Sequence, residues 1–306
     1  MSQPLQGKVA LVSGAGKNIG RAIALALARD GASLVVNGRA DKAAVDGVVR
    51  EIEPAGGKAM AAMGDVADPA VPPRLAAEAA ARFGGIDILV SNAGLRRQTS
   101  FLDMSFEEWR EILSVALDGA FLLGKAIIPQ MVARGGGAFV ALSGISTHVG
   151  TPNRCHVSAS KSGLEGLMRA LAVELAPHKI TCNALSPGAI DTARGAAGGP
   201  APPNRVNRPI PLKRFGTVEE IAAMVRLLVG PEGTFITGQT IHVNGGEFLT
   251  RGISSPTCRA YWSATPRIGA RRPASPWPSS SRARWRAWRR SAGRRVRVPS
   301  LCSNRR

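Results

Sequence analysis

VALVSGAGKNIGRAIA, residues 9 to 24, is the stretch that decides the fold of this chain. A short apolar run, suited to a buried strand, leads into a glycine-containing turn and then into a segment with helical spacing of its apolar residues. In the turn, Gly14, Asn18 and Gly20 follow the spacing G-x-x-x-G-x-G, with Asn18 at the central position. The stretch therefore predicts a strand, a tight turn and a helix.

The glycines indicate what the turn could bind. Because Gly14 and Gly20 carry no Cβ, the backbone can approach a pyrophosphate there, and the first N–H groups of the following helix, near Ile19, point at it. Asn18 tolerates the left-handed conformation better than most residues. The position between a strand and a helix favours a dinucleotide site, and a glycine-rich turn without a ligand is the alternative.

Outward from this stretch, short apolar runs alternate with longer segments of helical period. The predicted strands cover residues 9–13, 33–36, 58–62, 87–90, 138–142, 180–185 and 240–244. The predicted helices cover residues 19–28, 41–52, a segment that ends at Phe83, 105–133 and about 157–175. This alternation implies parallel pairing, so we expect an α/β fold with a Rossmann-type doubly wound seven-stranded parallel sheet in a single domain.

Charge is distributed very unevenly along the chain. Residues 1–249 contain all 21 acidic residues and 25 of the 40 Lys and Arg, whereas residues 250–306 carry fifteen Arg and no Lys, Asp or Glu. We therefore expect a folded domain over 1–249 and a disordered Arg-rich extension over 250–306. Its composition is typical of a G+C-rich gene read out of frame or of a vector-derived extension. The functional alternative is that Trp285, Trp288 and the arginines around them bind nucleic acid or an anionic surface.

Cysteine spacing and hydropathy bear on the cellular compartment, on metal binding and on membrane insertion. The four cysteines show no paired or zinc-like spacing, no signal peptide precedes Lys8, and no uninterrupted run of about eighteen apolar residues occurs. We expect a cytoplasmic protein with no metal site and no membrane span.

Further motifs stand in register with the glycine turn: Gly64-Asp65-Val66, Ser91-Asn92-Ala93-Gly94 and Ser186-Pro187-Gly188. With them, nearly all of residues 7–249 resembles the short-chain dehydrogenase/reductase family. The resemblance implies that Asp65 and Val66 contact the adenine and that Asn92 and Gly94 follow the fourth strand. It also implies a turn at Pro187 and Gly188 beside the nicotinamide, carboxamide contacts from Ile190 and Thr192, a substrate lid over about 191–215, and a homo-oligomer.

The same resemblance implies that the catalytic groups have changed. The family places a tyrosine four residues before its lysine, a serine thirteen residues before the tyrosine, and an asparagine seven residues after a tryptophan. Here Lys161 is present, but these positions hold Val157, Gly144 and Ala116, and the frame around Ala116, from Trp109 to Phe121, is otherwise intact. Ser143 could replace the serine. The one tyrosine, Tyr261, lies in the extension.

Lys161 and His156 are the remaining candidates for a catalytic role. Positions 157 and 161 share one face of a helix, so Lys161 keeps the cofactor ribose as a partner by resemblance. His156 lies about 100° around the helix, which makes it a weak candidate as proton donor. Ser146, His148 and Asn153 are weaker candidates still.

Charge near the second strand indicates which dinucleotide is preferred. The family's NAD-preferring members place an aspartate there, whereas this chain has Gly38 followed by Arg39. Arg39 can bind a ribose 2′-phosphate bidentately, and Lys17 can add a second positive charge. We therefore expect NADP(H) rather than NAD(H), with a solvated Arg39 as the alternative.

Several functions remain open from the sequence. The first is an NADP(H)-dependent oxidoreductase with a non-standard active site that reduces an imine, an activated ketone or a conjugated alkene. The second is a catalytically inactive member that acts as a nucleotide-binding scaffold. The third is nucleic-acid or surface binding through the extension, and the fourth is a form inactivated by engineering. Arg96, Arg97, Arg154 and Arg194 suggest an anionic small-molecule substrate, with solvated arginines as the default.

Overall fold

A computed structural model describes residues 3–192 and 210–249 of the chain. Its centre is a seven-stranded sheet with the strand order β3-β2-β1-β4-β5-β6-β7, in which every neighbouring pair is parallel. The strands are β1 (Val9–Val12), β2 (Ser33–Gly38), β3 (Ala59–Met63), β4 (Ile88–Ser91), β5 (Gly137–Leu142), β6 (Ile180–Pro187) and β7 (Thr240–Val243). The predicted doubly wound sheet is thus confirmed.

Helices cover both faces of the sheet, and this explains why its strands are apolar runs without alternation. The helices are α1 (Asn18–Arg29), α2 (Lys42–Ile52), α3 (Val71–Phe83), α4 (Phe106–Leu113), α5 (Gly119–Ala133), α6 (Ser146–Val149), α7 (Cys155–Leu175) and α8 (Val218–Val229). One core cluster joins the sheet to α1, α2 and α8, and the other joins it to α3, α5 and α7.

The strand order reverses next to β1, which pairs with β2 on one side and with β4 on the other. The connections that follow β1 and β4 therefore leave the sheet toward opposite faces and open a crevice at the carboxyl ends of these strands. Open parallel sheets bind their ligands at such a switch point. The glycine turn after β1 and Lys161 of α7 both lie at this end.

Helices α4 and α5 form one continuous helical segment, interrupted by a π-helical turn at Ser114–Asp118. The segment Phe106–Ala133 is long and apolar enough to cross a membrane by length and composition alone. However, α5 packs against α3, β4 and β5, and its residues Leu123 and Ile127 are fully buried in the core. The core helix of a soluble protein meets the same criterion, so the segment does not indicate a membrane span.

Two details of the helices differ from the sequence prediction. Helix α7 begins at Cys155, two residues before the predicted start, and α8 was not predicted. Helix α8 begins with a capping box in which Thr217 and Glu220 each bond the other's backbone N–H. This local signal marks the start of a helix, but a prediction based on apolar periodicity missed it. The extension 250–306 and most of the predicted lid, residues 193–209, lie outside the described residues.

Candidate active site

The glycine turn after β1 has a backbone that few residues other than glycine can adopt. Gly14 has φ 62° and Asn18 has φ 51°, both in the left-handed region. A Cβ on Gly20 would lie 2.6 Å from Asn92 Nδ2 and 2.9 Å from the Ala15 Cα, distances that real structures do not show. The turn is therefore closed tightly onto the start of α1, and Asn18 occupies a position where its tolerance of positive φ is needed.

Helix α1 presents its N-terminus without a side-chain cap. Lys17 is the capping residue, and its side chain makes no capping hydrogen bond, while the first turn contains no acidic residue. Its first N–H groups and the positive end of its dipole suit an anion. Ile19 is buried beside this N-terminus and also lines the cavity that contains Lys161.

Asn92 supports the turn rather than facing a ligand. Its Nδ2 donates to the Ser13 and Gly14 carbonyl oxygens, both at 3.0 Å, and the Ser13 Oγ accepts from the Asn92 and Ala93 N–H groups. These bonds join the ends of β1 and β4 at the switch point. Among the predicted cofactor residues, Asn92 thus holds the backbone of the glycine turn in place.

The adenine end of the crevice carries a loose ion pair. Arg39 Nη1 lies 3.5 Å from Asp65 Oδ2, with about half of the Arg39 side chain and a third of the Asp65 side chain exposed. Such exposed pairs contribute roughly 0–1 kcal/mol. Arg39 can therefore exchange Asp65 for a phosphate at little cost. Asp65 also accepts from the Ala67 N–H, which fixes the turn that carries Val66.

Lys161 is the most unusual charged residue of the site. It is 7% exposed, its Nζ donates to the Leu142 carbonyl oxygen at 2.5 Å, and a Cβ on Gly94 would lie 3.3 Å from the Nζ. Burial, with a smaller contribution from the positive charge of Arg96, lowers the pKa of Lys161 to about 7. The lysine is thus held between β4 and β5 at the mouth of the crevice.

Two of the three positions that the resemblance marks as changed line the cavity that contains Lys161. Val157 is 4% exposed and lines the same cavity one helical turn before the lysine. Gly144 also lines the cavity, and a Cβ there would meet nothing closer than Ser146 Oγ at 4.0 Å. Ala116 is buried in the π-helical turn, a feature often found at functional sites. Small apolar groups thus occupy all three positions.

His156 faces away from Lys161. Its side chain is fully buried, with Nε2 3.3 Å from Glu108 Oε1 of α4, a contact that is electrostatic rather than a well-formed hydrogen bond. Burial lowers the pKa of His156, an effect that Glu108 opposes and that the positive charges of Arg154 and Arg97 reinforce. The structure does not bring this imidazole to the cavity, and it favours the neutral form, which cannot act as an acid.

Ser143 lines the cavity as well, but its hydroxyl takes part in a buried network that the sequence did not predict. Its Oγ donates to Glu165 Oε1 at 2.6 Å, and the same oxygen lies 2.9 Å from His148 Nε2 and 3.3 Å from Thr147 Oγ1. Glu165 is 6% exposed. The sequence does contain one signal of this network, namely the acidic Glu165 on the core face of α7, because a buried carboxylate requires hydrogen-bond partners.

Pro187, the last residue of β6, and Gly188 line the cavity with Ile190, where the resemblance places the nicotinamide. Gly188 is close to Asn244, whose Cβ would lie 2.7 Å from a Cβ on this glycine. The Asp191 N–H donates to the Gly216 carbonyl at 2.8 Å, which fixes the chain on either side of Ile190 and Thr192. Glu247, also not predicted, lines the cavity and accepts from the Ala189 N–H at 3.1 Å.

A glycine turn, an uncapped helix N-terminus and a buried lysine therefore meet at the switch point of a parallel sheet. This arrangement defines a dinucleotide-binding protein of the doubly wound class.

Comparison with known proteins identifies the family. A family model described as Enoyl-(Acyl carrier protein) reductase matches residues 14–247. Over 242 residues the chain is 38% identical to the 3-oxoacyl-(acyl-carrier-protein) reductase FabG of Staphylococcus aureus, covering 79% of this chain and 98% of that protein. It is 36% identical over 248 residues to an L-rhamnose 1-dehydrogenase (NAD(P)(+)) of a Sphingomonas species, covering 80% and 98%.

Among solved structures, a short-chain dehydrogenase of Burkholderia cenocepacia in complex with NADP superposes with a TM-score of 0.73 at 33% identity, over 80% of this chain and 99% of that one. The chain belongs to the short-chain dehydrogenase/reductase family of oxidoreductases.

Proposed function

We propose that this protein is an NADP(H)-dependent oxidoreductase with a non-standard active site, which reduces an acceptor that needs no acid from the protein. The observation that carries the proposal is the pairing of a complete dinucleotide cradle with Val157 beside Lys161. The tight turn after β1 supports dinucleotide binding, and the position that the family resemblance assigns to a proton donor holds an isopropyl group.

The residues of the crevice fit a dinucleotide. Gly20 in this turn leaves no room for a Cβ, and the helix behind it presents an N-terminus without a side-chain cap to a pyrophosphate. Lys161 would hold the nicotinamide ribose, and Pro187, Gly188, Ile190 and Thr192 would hold the nicotinamide. When bound, the reduced cofactor supplies a hydride; the protein supplies its position and excludes water.

Preference for NADP(H) is supported by charge. Arg39 is held only by an exposed pair with Asp65, and Lys17 is exposed at the start of α1. Both can contact a ribose 2′-phosphate, for which the guanidinium is geometrically suited. The related structure bound to NADP is in line with this, although the L-rhamnose relative is named for both dinucleotides.

The loss of a proton donor limits the reaction but need not abolish it. A positioned general acid contributes about 10²- to 10⁴-fold, or roughly 3 to 5 kcal/mol, whereas orienting the reactants contributes roughly 7 to 11 kcal/mol. An iminium ion, a strongly activated ketone or a conjugated alkene can accept hydride and take its proton from water. Ordinary alcohols should be oxidised very poorly, because Val157 cannot act as a base.

A scaffold without turnover is the second candidate, and the packing of Val157 favours it. This side chain is almost fully buried and lines the cavity together with Ile145 and Ile190, so it offers no proton donor or acceptor there. Such a protein would bind the dinucleotide and present its outer helices to partners.

Assembly with other copies fits the exposed apolar residues of the two long helices. Phe121 of α5 is 52% exposed and Val173 of α7 is 80% exposed. We propose a homo-oligomer formed through these helices, as the family implies, in the cytoplasm. Binding of nucleic acid through the extension 250–306 stays a prediction, since it concerns residues beyond those described.

Two measurements on the full chain test the proposal. Calorimetric titration with NADPH and NADH should show micromolar binding with NADPH preferred. Absorbance of the reduced nicotinamide is then followed with a plain ketone, an activated ketone, a cyclic imine and a conjugated enone. Turnover of an activated acceptor supports the oxidoreductase, binding without any turnover supports the scaffold, and absence of dinucleotide binding contradicts both.

A further inference from the structure

The cavity around Lys161 has an excess of positive charge. It measures about 110 Å³, and Arg96, Arg154 and Lys161 all line it. Glu247 is the one carboxylate among its described lining residues, and one of its oxygens is occupied by the Ala189 N–H. Ser146 and Thr151 add hydroxyl groups on the same wall. The charge balance of this site therefore suits an anion.

Arg96 and its neighbour Arg97 have different surroundings, although the sequence gives no reason to separate them. Arg97 forms a two-point ion pair with Glu111, in which Nη2 lies 2.9 Å from Oε1. Arg96 lines the cavity, and its charge contributes to the lowered pKa of Lys161. Arg97 is thus held in an ion pair with Glu111, whereas the charge of Arg96 affects Lys161 in the cavity.

Arg154 supplies a second guanidinium to the wall of the cavity. It directly precedes α7, it is only 9% exposed, and its carbonyl accepts from the Ser158 N–H at 2.8 Å, which fixes its backbone at the helix start. A charge of low exposure attracts an opposite charge far more strongly than one in water does. Arg154 therefore adds positive charge at a place where an anion would be attracted strongly.

We propose that the substrate of this site carries a carboxylate, which Arg96 and Arg154 bind, so that a small oxo acid is the substrate class. The inference rests on the proposed function and sharpens it. Guanidinium groups match a carboxylate in plane and spacing. The charges of Arg96 and Arg154 also disfavour a simple iminium ion, which could enter only if it carried a compensating carboxylate.

A binding experiment tests the substrate class without requiring turnover. The full chain is saturated with NADP⁺, which has no hydride to give, and titrated calorimetrically with acetoacetate and with acetoacetamide. These two molecules differ in little but charge. We expect acetoacetate to bind at least about tenfold more tightly, the effect of a charge-assisted hydrogen bond.

Matched variants test whether the preference for acetoacetate arises from Arg96 and Arg154. Arg96→Gln should weaken acetoacetate binding about tenfold and leave acetoacetamide unchanged, whereas Arg97→Gln should alter neither by more than about twofold. Arg154→Gln should act as Arg96→Gln does, and circular dichroism checks its folding; the exposed Arg96 provides the test if Arg154→Gln does not fold.

Equal binding of the two probes, absence of acetoacetate binding, or equal effects of the Arg96 and Arg97 variants would overturn the inference. The titration is repeated without dinucleotide. If NADP⁺ itself does not bind, the proposed function fails, and the acetoacetate series on the free protein still decides whether the cavity selects a carboxylate.

Discussion

The two sides of the crevice differ in what fixes their shape. On the side proposed to bind the dinucleotide, here called the dinucleotide side, backbone geometry fixes the turn: Gly14 and Asn18 are in the left-handed region, and Gly20 leaves no room for a Cβ. On the other side, Val157 and Gly144 line the cavity beside the buried Lys161. Under the proposed function, binding and orienting a hydride donor depend on backbone geometry, whereas proton transfer depends on a few side chains that can be exchanged without disturbing the fold.

The largest expected effect is on the dinucleotide side, from Gly20→Ala. The added Cβ would collide with the Ala15 backbone and with the amide of Asn92, so the turn must open. We expect dinucleotide affinity to fall by at least about 100-fold, the equivalent of nearly 3 kcal/mol, as measured by calorimetry.

Gly166→Ala is the matched control. Gly166 lies in α7, where a Cβ would meet nothing within 4 Å. It should leave dinucleotide affinity unchanged and stabilise the helix by about 0.5–1 kcal/mol. A similar loss of affinity in both variants would mean that the turn has no special role.

Lys161→Met should weaken the dinucleotide about tenfold and at the same time stabilise the protein. The pKa of Lys161 is lowered to about 7 from 10.5, so the unfolded chain binds the extra proton between these values and burial of the ammonium opposes folding. This cost is complete below about pH 7 and disappears as the pH rises to about 10.5.

Thermal unfolding of the wild type and of Lys161→Met over this pH range checks the sign of the predicted stability difference. The stability gain of the variant should be largest at pH 6 to 7, at most a few kcal/mol, and should shrink toward pH 10. A gain that grew with pH would show that Lys161 is not desolvated in the folded protein.

The choice of dinucleotide should respond to Arg39→Ser. Loss of a guanidinium that binds a 2′-phosphate lowers NADPH affinity by about tenfold and leaves NADH nearly unchanged. Arg50→Ser, at an exposed position of α2, is the control and should change neither. If both dinucleotides weakened equally after Arg39→Ser, the arginine would contribute general charge rather than phosphate recognition.

The smallest effect is expected from Gly144→Ser. There is open space for its Cβ, with Ser146 Oγ at 4.0 Å as the nearest atom, so the free energy of unfolding should change by no more than about 0.5 kcal/mol. Urea unfolding measures it. A destabilisation above about 2 kcal/mol would show that the site has closed around the missing side chain.

The fold was predictable because its signals are local. Each of the seven predicted strands lies within two or three residues of an observed one, since parallel strands buried on both faces are continuous apolar runs. The left-handed backbone conformation of Asn18 was predictable for the same reason, because the turn imposes this conformation locally. The π-helical turn at Ser114–Asp118 has no such signal, and α8 was missed although its capping box stands in the sequence.

The electrostatics of the site were not predictable from the sequence. The network of Ser143, His148 and Glu165 joins residues 17 and 22 positions apart, and only the packing of α7 on β5 brings them together. The separation of Arg96 from Arg97 likewise depends on where Glu111 lies. Sequence supplied the groups, and tertiary contacts decided which of them face the cavity.

The most direct test of the account compares Val157→Tyr with Val157→Phe, each combined with Gly144→Ser. Both add an aromatic ring beside Lys161, and only the first adds a hydroxyl. We predict that the tyrosine variant reduces a plain oxo acid about 10²- to 10⁴-fold faster than the phenylalanine variant, with NADPH affinity equal in the two. Equal rates of oxo-acid reduction in two folded, NADPH-binding variants would contradict the claim that the missing proton donor limits the reaction.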